Sequence, residues 1–305
     1  MQTIFDSWLR LPHPGEILSV LSALIWAFAV ILFRIAGKKV DAVSLNLFKI
    51  IFALALLSLT MLGLGLPFFP PLSESHYVLL FLSGVVGIAI SDTLLFVALN
   101  RLGAELTAIV DCAYAPFVIG FSFLFLGERM NPLQTLGAAL IVLAMALILQ
   151  KKSDVQIPRR ALLSGVGAGI LSMFFSAAGV LMMKPMLAEA SPVWASFVRM
   201  LGGATAIGLF VAIHPRRRAI MAPLRSLKNM RILVPASFLG SYLSVVIWIG
   251  GMKFAQASIA AALNQMSTIF IFMLAAIFLK EKITIIKLAA VMIAFAGAIL
   301  VSVPL

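Results

Sequence analysis

Charge is scarce in this sequence. Only 11% of the residues are charged and 63% are hydrophobic, whereas a soluble domain carries about 25% charged residues. A water-soluble fold could not bury so much apolar surface, so the composition indicates an integral membrane protein. The net charge of +12 does not indicate nucleic-acid binding, because the basic residues cluster in short loops between apolar runs.

Motifs for several kinds of chemistry are missing too. Cys112 is the only cysteine, so the chain forms no internal disulfide. The three histidines, His13, His76 and His214, are loop residues without metal-ligand spacing, and no G-x-x-x-x-G-K-[ST] motif for nucleotides occurs. We therefore expect no cofactor, no metal site and no enzymatic activity.

The chain contains ten apolar segments of the length that spans a bilayer, which takes about 20 helical residues. The fold prediction is an all-α polytopic membrane protein with ten transmembrane helices. The first residues, "MQTIFDSWLRLPHPGE", instead favour an interfacial segment over residues 1–15. The ten segments cover residues 17–35, 42–63, 76–99, 104–126, 132–149, 161–183, 192–213, 232–251, 256–279 and 283–303.

Lysine and arginine are concentrated in the loops that follow odd-numbered segments. The loops that follow even-numbered segments, together with the N-terminal tail, hold only Arg10, Arg129, Lys184 and Lys253. By the positive-inside rule, this asymmetry predicts cytoplasmic odd loops and two external termini.

The sequence also contains an internal repeat. "DCAYAPFVIGFSFLFLGER", from Asp111, aligns without a gap with "NQMSTIFIFMLAAIFLKEK", from Asn264, and Lys49 aligns with Arg199. Each half holds five helices, and an odd number makes the second half enter the membrane from the opposite side. We therefore predict inverted repeats over residues 16–149 and 161–303, joined by a basic linker at 150–160, with a site between them.

The duplicated segments "FLGERMNPLQTLGAALIVLAMAL" and "FLKEKITIIKLAAVMIAFAGAIL" resemble the EamA-type branch of the drug/metabolite transporter superfamily. The resemblance covers residues 16 to 303, although Lys280 stands where the motif has glycine. It implies export of small metabolites or drugs, often amino acids, through a central cavity.

Four ionisable residues, Lys49, Asp92, Asp111 and Arg199, lie inside apolar runs. They could form structural ion pairs, or they could form a substrate or proton site, because intramembrane ionisable residues usually face the bundle interior. The repeat favours a site, because polar residues align: Asp111 with Asn264, and Asp92 with Ser244. Pro116 predicts a kink in the fourth helix.

Other polar and aromatic residues recur at helical spacing on the same segments. In a cavity of this kind, the cations could hold a carboxylate or phosphate, and the acids could hold an amine or a proton. The predicted site contains Trp26, Lys49, Asp92, Asp111, Tyr114, Arg199, Ser241, Ser244, Trp248 and Asn264.

These observations predict a secondary active transporter of the cell (inner) membrane that exports a small polar or amphipathic metabolite, amino-acid-like or drug-like, by alternating access. Its expected partners are this solute, the lipid bilayer and, as a candidate coupling ion, protons. One alternative is a scaffold or receptor that transports nothing. The other is an intramembrane aspartyl enzyme, although neither Asp92 nor Asp111 lies in a Gly-x-Gly-Asp motif.

Overall fold

The computed structural model describes residues 13–126, 132–150, 157–255, 260, 263–280 and 284–301. Most of these residues form helices, and none of them forms a strand. Residues 1–12 of the predicted interfacial segment, most of the basic linker and most of the start of the ninth apolar segment lie outside the described residues. Pro14 and Gly15, the end of the predicted interfacial segment, belong to the first helix.

Among the described residues, the first half of the chain contains five helical stretches. The described part of the second half contains five more, with a short helix, Arg217–Met221, between its second and third. The first set is α1 (Pro14–Gly37), α2 (Ala42–Gly63), α3 (Glu74–Leu102), α4 (Ala104–Asp111 and Tyr114–Leu126) and α5 (Pro132–Gln150). The second set is α6 (Arg159–Met183), α7 (Pro192–Ile213), α8 (Leu227–Phe254), α9 (Met266–Phe278) and α10 (Ile285–Val301).

Six of these helices, α1, α2, α3, α6, α7 and α8, are long and apolar enough to cross a membrane. Shorter apolar helices accompany them in the described part of the chain. The fold is therefore all-helical, as predicted, and fits a polytopic membrane protein. The count of ten spans stays a prediction.

The second helix of each half begins at a side-chain cap. Asp41 Oδ1 accepts hydrogen bonds from the backbone nitrogens of Val43 and Ser44, at 3.0 and 3.1 Å. Ser191 Oγ accepts one from Trp194 N at 3.1 Å. Each cap satisfies backbone donors that a helix leaves free at its N-terminus, which fixes where α2 and α7 begin.

Helix α4 is interrupted at Cys112 and Ala113, between its two halves. Pro116 has no N–H to donate to the carbonyl of Cys112, four residues earlier, so the helical ladder loses a bond there. The break agrees with the kink predicted from Pro116, and it places Asp111 at the end of a half-helix.

The third helix of each half contains a π-helical segment, Val85–Ile90 in α3 and Phe238–Leu243 in α8. The two segments are 153 residues apart. At that offset Ser244 corresponds to Ser91, and Asp92 corresponds to Val245. This corrects the predicted pairing of Asp92 with Ser244, which used an offset of 152.

The two halves contact each other crosswise, α1 against α8 and α3 against α6. Ser22 Oγ on α1 donates to the carbonyl of Ser244 at 2.9 Å, and Ser172 Oγ on α6 donates to that of Ser91 at 2.8 Å. Ser172 lies 150 residues after Ser22, and Ser244 lies 153 residues after Ser91. Corresponding residues therefore form the same hydrogen bond twice between the halves.

Candidate functional site

A cavity of about 170 Å³ lies among α1, α2, α3, α4, α6, α7, α8 and the start of α9 with the two residues before it. Except for Ser241, the predicted site residues all line it. They are Trp26, Lys49, Asp92, Asp111, Tyr114, Arg199, Ser244, Trp248 and Asn264.

Lys49 on α2 and Asp92 on α3 form an ion pair between Nζ and Oδ2 at the cavity wall. The side chain of Lys49 is 3% exposed and that of Asp92 is 19% exposed. The ammonium group of Lys49 also lies 5.5 Å from the ring centroid of Phe96, which adds a cation–π contact. Lys49 therefore has its neutralising partner inside the protein.

Arg199 on α7 lines the same cavity and is 5% exposed. Its Nη1 contacts Met183 Sδ at 2.9 Å, and its Nε has no hydrogen-bond partner. Asp92 acts on Arg199 electrostatically, but no carboxylate within the described ranges forms an ion pair with Arg199. A buried guanidinium without a direct anionic partner is suited to binding an anionic group.

Asp111 ends the first half of α4, Tyr114 begins the second half, and both line the same cavity. Asp111 Oδ1 and the Tyr114 hydroxyl are both buried without a hydrogen-bond partner. In the part of the chain that the structure describes, no lysine, arginine or histidine forms an ion pair with Asp111. A proton or a cationic group would neutralise the charge of this carboxylate, because an isolated buried charge is costly.

Ser241 lies apart from the cavity because of the π-helical segment that contains it. Sequence spacing placed Ser241 on one face with Ser244, assuming a regular α-helix. A π-helical turn takes more residues than an α-helical turn, so the register shifts between these two serines. Ser241 is fully buried, and its hydroxyl has no partner among the described atoms.

Several polar lining residues were missed by the sequence analysis. Helical spacing placed Ser22 beside Trp26 and Ser267 beside Asn264, which is the signal that could have found these two. No pattern distinguished the others from serines that pack helices together. The missed residues are Ser22, Ser91, Ser176, Ser196, Gln265 and Ser267.

A second buried ion pair, also unforeseen, lies outside the cavity lining. Glu105 on α4 is fully buried and pairs with Lys287 on α10. This pair connects the two halves away from the cavity, so it contributes to the packing of the helices and not to the site. No group of three or more metal-ligating side chains is found in the ranges that the structure describes.

Comparison with known proteins places these features in a family. One solved structure, titled "Crystal structure of protein", superposes with a TM-score of 0.67 over 94% of this chain and 97% of that chain, at 14% identity. A search of curated proteins finds no match. The profile of the EamA-like transporter family matches twice, over residues 13–150 and 163–303. With both halves matched, the chain belongs to the EamA-like transporter family.

Proposed function

We propose that the protein is a secondary active transporter that exports a small zwitterionic metabolite of amino-acid type by alternating access. Membership in a membrane transporter family supports the general class. The cavity, with its polar and aromatic lining, supports the presence of a solute site.

We further propose that the halves form inverted repeats of five transmembrane helices each. The repeated hydrogen bonds of Ser22 and Ser172 support this arrangement, as do the matched π-helical segments. Inverted repeats place a substrate site at the interface of the halves, near the midplane of the bilayer.

The observation that carries the proposal for the substrate is the distribution of charge around the cavity. Lys49 and Asp92 neutralise one another, whereas Arg199 and Asp111 each lack an ion pair among the described residues. A solute with an anionic and a cationic end supplies both missing partners. In this account Arg199 binds a carboxylate, and Asp111 binds an ammonium group or a proton.

The size of the cavity favours a small solute. Sites for drug-sized ligands enclose about 300–1,000 Å³, and this cavity encloses about 170 Å³. Trp26 and Trp248 supply apolar surface beside the charged groups. A compact amino-acid-like molecule therefore suits the cavity better than a drug-like one.

Proton coupling is proposed through Asp111. Intramembrane carboxylates serve as proton relays in pumps and transporters, and this one has no ion-pair partner in the described ranges. Its counterpart Asn264 has the same shape without a charge, so only one half carries a titratable group at this position.

The alternative of an aspartyl enzyme is less well supported. Such an enzyme needs two carboxyl groups that share a proton. Asp92 is instead engaged by Lys49, and the two aspartates form no hydrogen bond with one another among the described contacts. A scaffold or receptor that transports nothing is also less well supported, because both halves of the chain match a transporter family.

Flux through proteoliposomes tests the proposal. Purified protein is reconstituted into vesicles that are loaded with labelled amino acids, organic acids or amines, with and without a pH gradient. Protein-dependent efflux of at least one zwitterion, faster with a favourable gradient, is expected.

Protein-free vesicles and vesicles carrying an Arg199→Met variant serve as controls. Failure of every compound to move faster than through protein-free vesicles would contradict the transporter assignment. Efflux that ignores the gradient would remove proton coupling and leave transport in place.

A further inference from the structure

The connection between α7 and α8, together with the first residues of α8, is strongly basic. Residues 214–231 contain no acidic side chain. Their basic side chains are all exposed, and none of them forms an ion pair with a described residue. They are Arg216, Arg217, Arg218, Arg225, Lys228 and Arg231.

This connection is folded and anchored to the protein on one side. It forms the short helix Arg217–Met221, followed by a 3₁₀ turn, Ala222–Arg225. Ser44 Oγ on α2 donates to the carbonyl of Ile220 at 2.6 Å, and the Ile220 side chain is buried. The backbone is thus held against α2 at Ile220, while the side chains of Arg216, Arg217 and Arg218 are exposed.

Large apolar side chains are exposed beside these charges. Ile213 and Leu227 are each 82% exposed, and Met221 is 39% exposed. Basic side chains mixed with exposed apolar ones are typical of a segment at the boundary between lipid headgroups and acyl chains. The arginines would meet phosphate there, and the apolar side chains would meet hydrocarbon.

The corresponding connection in the first half shows that the fold does not require these charges. Residues 64–73, "LGLPFFPPLS", join α2 to α3 and contain no charged side chain. At an offset of 150 residues, Leu66, Pro67 and Phe68 stand where the second half has the three consecutive arginines. The basic character is therefore specific to one of two equivalent connections.

We propose that residues 213–231 form a binding surface for anionic phospholipids, with the arginines contacting the headgroup phosphates. The planar guanidinium group donates two parallel hydrogen bonds to phosphate oxygens, which lysine cannot reproduce. This surface is separate from the cavity, so the proposal does not depend on which solute is transported.

Native mass spectrometry of the full chain in neutral detergent tests the proposal. The probes are phosphatidylglycerol and phosphatidylcholine with identical acyl chains, offered in equal amounts. The variant is Arg216→Gln/Arg217→Gln/Arg218→Gln. The matched control, Lys39→Gln/Arg159→Gln/Arg160→Gln, removes the same charge from exposed residues outside the surface.

The unmodified protein should retain more phosphatidylglycerol than phosphatidylcholine. The ratio should fall at least about fivefold in the variant, because each basic residue near an anionic surface contributes measurably to binding. The control should keep most of the preference. Unfolding temperatures of all three proteins without added lipid should agree, which excludes a folding defect.

Leu227→Ser should also weaken retention of phosphatidylglycerol while leaving the charge unchanged. Equal retention of the two lipids by the unmodified protein would overturn the proposal. It would also be overturned if the matched control lost as much of the preference as the variant, since binding would then depend on charge number alone.

Discussion

Lys49 on α2 and Asp92 on α3 form an ion pair at the wall of the cavity. The second half has no equivalent of this pair, because Arg199 corresponds to Lys49 while Val245 corresponds to Asp92. One cation of the symmetric pair is therefore neutralised, whereas the other, Arg199, has no carboxylate in direct contact among the described residues. This asymmetry supports the proposal that Arg199 binds an anionic group of the solute.

Substituting one partner of the Lys49–Asp92 ion pair should lower the stability of the protein. Asp92→Ala would leave the buried Lys49 uncompensated, which we expect to lower the free energy of unfolding by about 3 kcal/mol. The double variant Lys49→Met/Asp92→Leu should be close to the unmodified protein, because it removes both charges. Denaturant unfolding in detergent measures both. An Asp92→Ala protein of unchanged stability would show that the pair contributes little.

Arg199 should be needed for solute binding and much less for folding. Arg199→Met should abolish efflux of the solute found in proteoliposomes, and Arg199→Lys should retain a small part of it, since lysine keeps the charge but loses the planar fork. Unfolding temperatures should not fall in either variant, because neither breaks an ion pair. Normal efflux by Arg199→Met would exclude this residue from the site.

Asp111→Asn should separate proton coupling from transport. Asparagine preserves the shape of the side chain, as Asn264 does in the second half, but it cannot release a proton. We expect the unmodified protein to export faster when the receiving side is acidic. The variant should export more slowly, because Asp111 also binds the ammonium end of the solute, and at one rate with and without the gradient. A variant that still responds to the gradient would assign the proton to another group.

The crosswise contact of the halves depends on glycine at closely approaching positions. A Cβ at Gly179 would lie 2.8 Å from the Cα of Gly87, so Gly179→Ala should cost about 1–3 kcal/mol of stability through overpacking. Gly167 on the same helix has no neighbouring atom within 4 Å. Gly167→Ala is therefore the matched control and should be neutral or slightly stabilising. Equal effects at both positions would contradict the close approach.

The helical fold and much of the cavity lining could be predicted from the sequence. Apolar runs of membrane-spanning length specify helices, and ionisable residues such as Asp111 stand out within them because hydrocarbon excludes charge. The repeat then directed attention to Asn264, a residue that would otherwise have no distinguishing feature.

Two kinds of feature could not be predicted from the sequence: the hydrogen-bond register within a helix, and which charged residues pair with one another. A π-helical segment leaves no mark in apolar periodicity. The sequence therefore did not show that Ser241 lies outside the cavity lining, and it placed the counterpart of Asp92 one residue out of register. Two acids and two bases allow several pairings, and only the packing of α2 against α3 selects Lys49 with Asp92. Glu105 and Lys287 lie far apart in the sequence, and no motif predicts that they form a pair.

The central claim, that Arg199 and Asp111 bind the two ends of a zwitterion, is tested most directly by ligand binding monitored through tryptophan fluorescence. Trp26 and Trp248 line the cavity, so a bound solute should change their emission. The amino acid exported most rapidly is compared with its amide, which lacks the carboxylate, and with its N-acetyl form, which lacks the ammonium group.

The unmodified protein should bind the amino acid more tightly than either derivative, with measurable dissociation constants for all three. Arg199→Met should lose discrimination against the amide alone, and Asp111→Asn should lose discrimination against the N-acetyl form alone. Discrimination that is unchanged in both variants, or lost for both derivatives in each variant, would contradict the assignment of the two residues to the two ends of the solute.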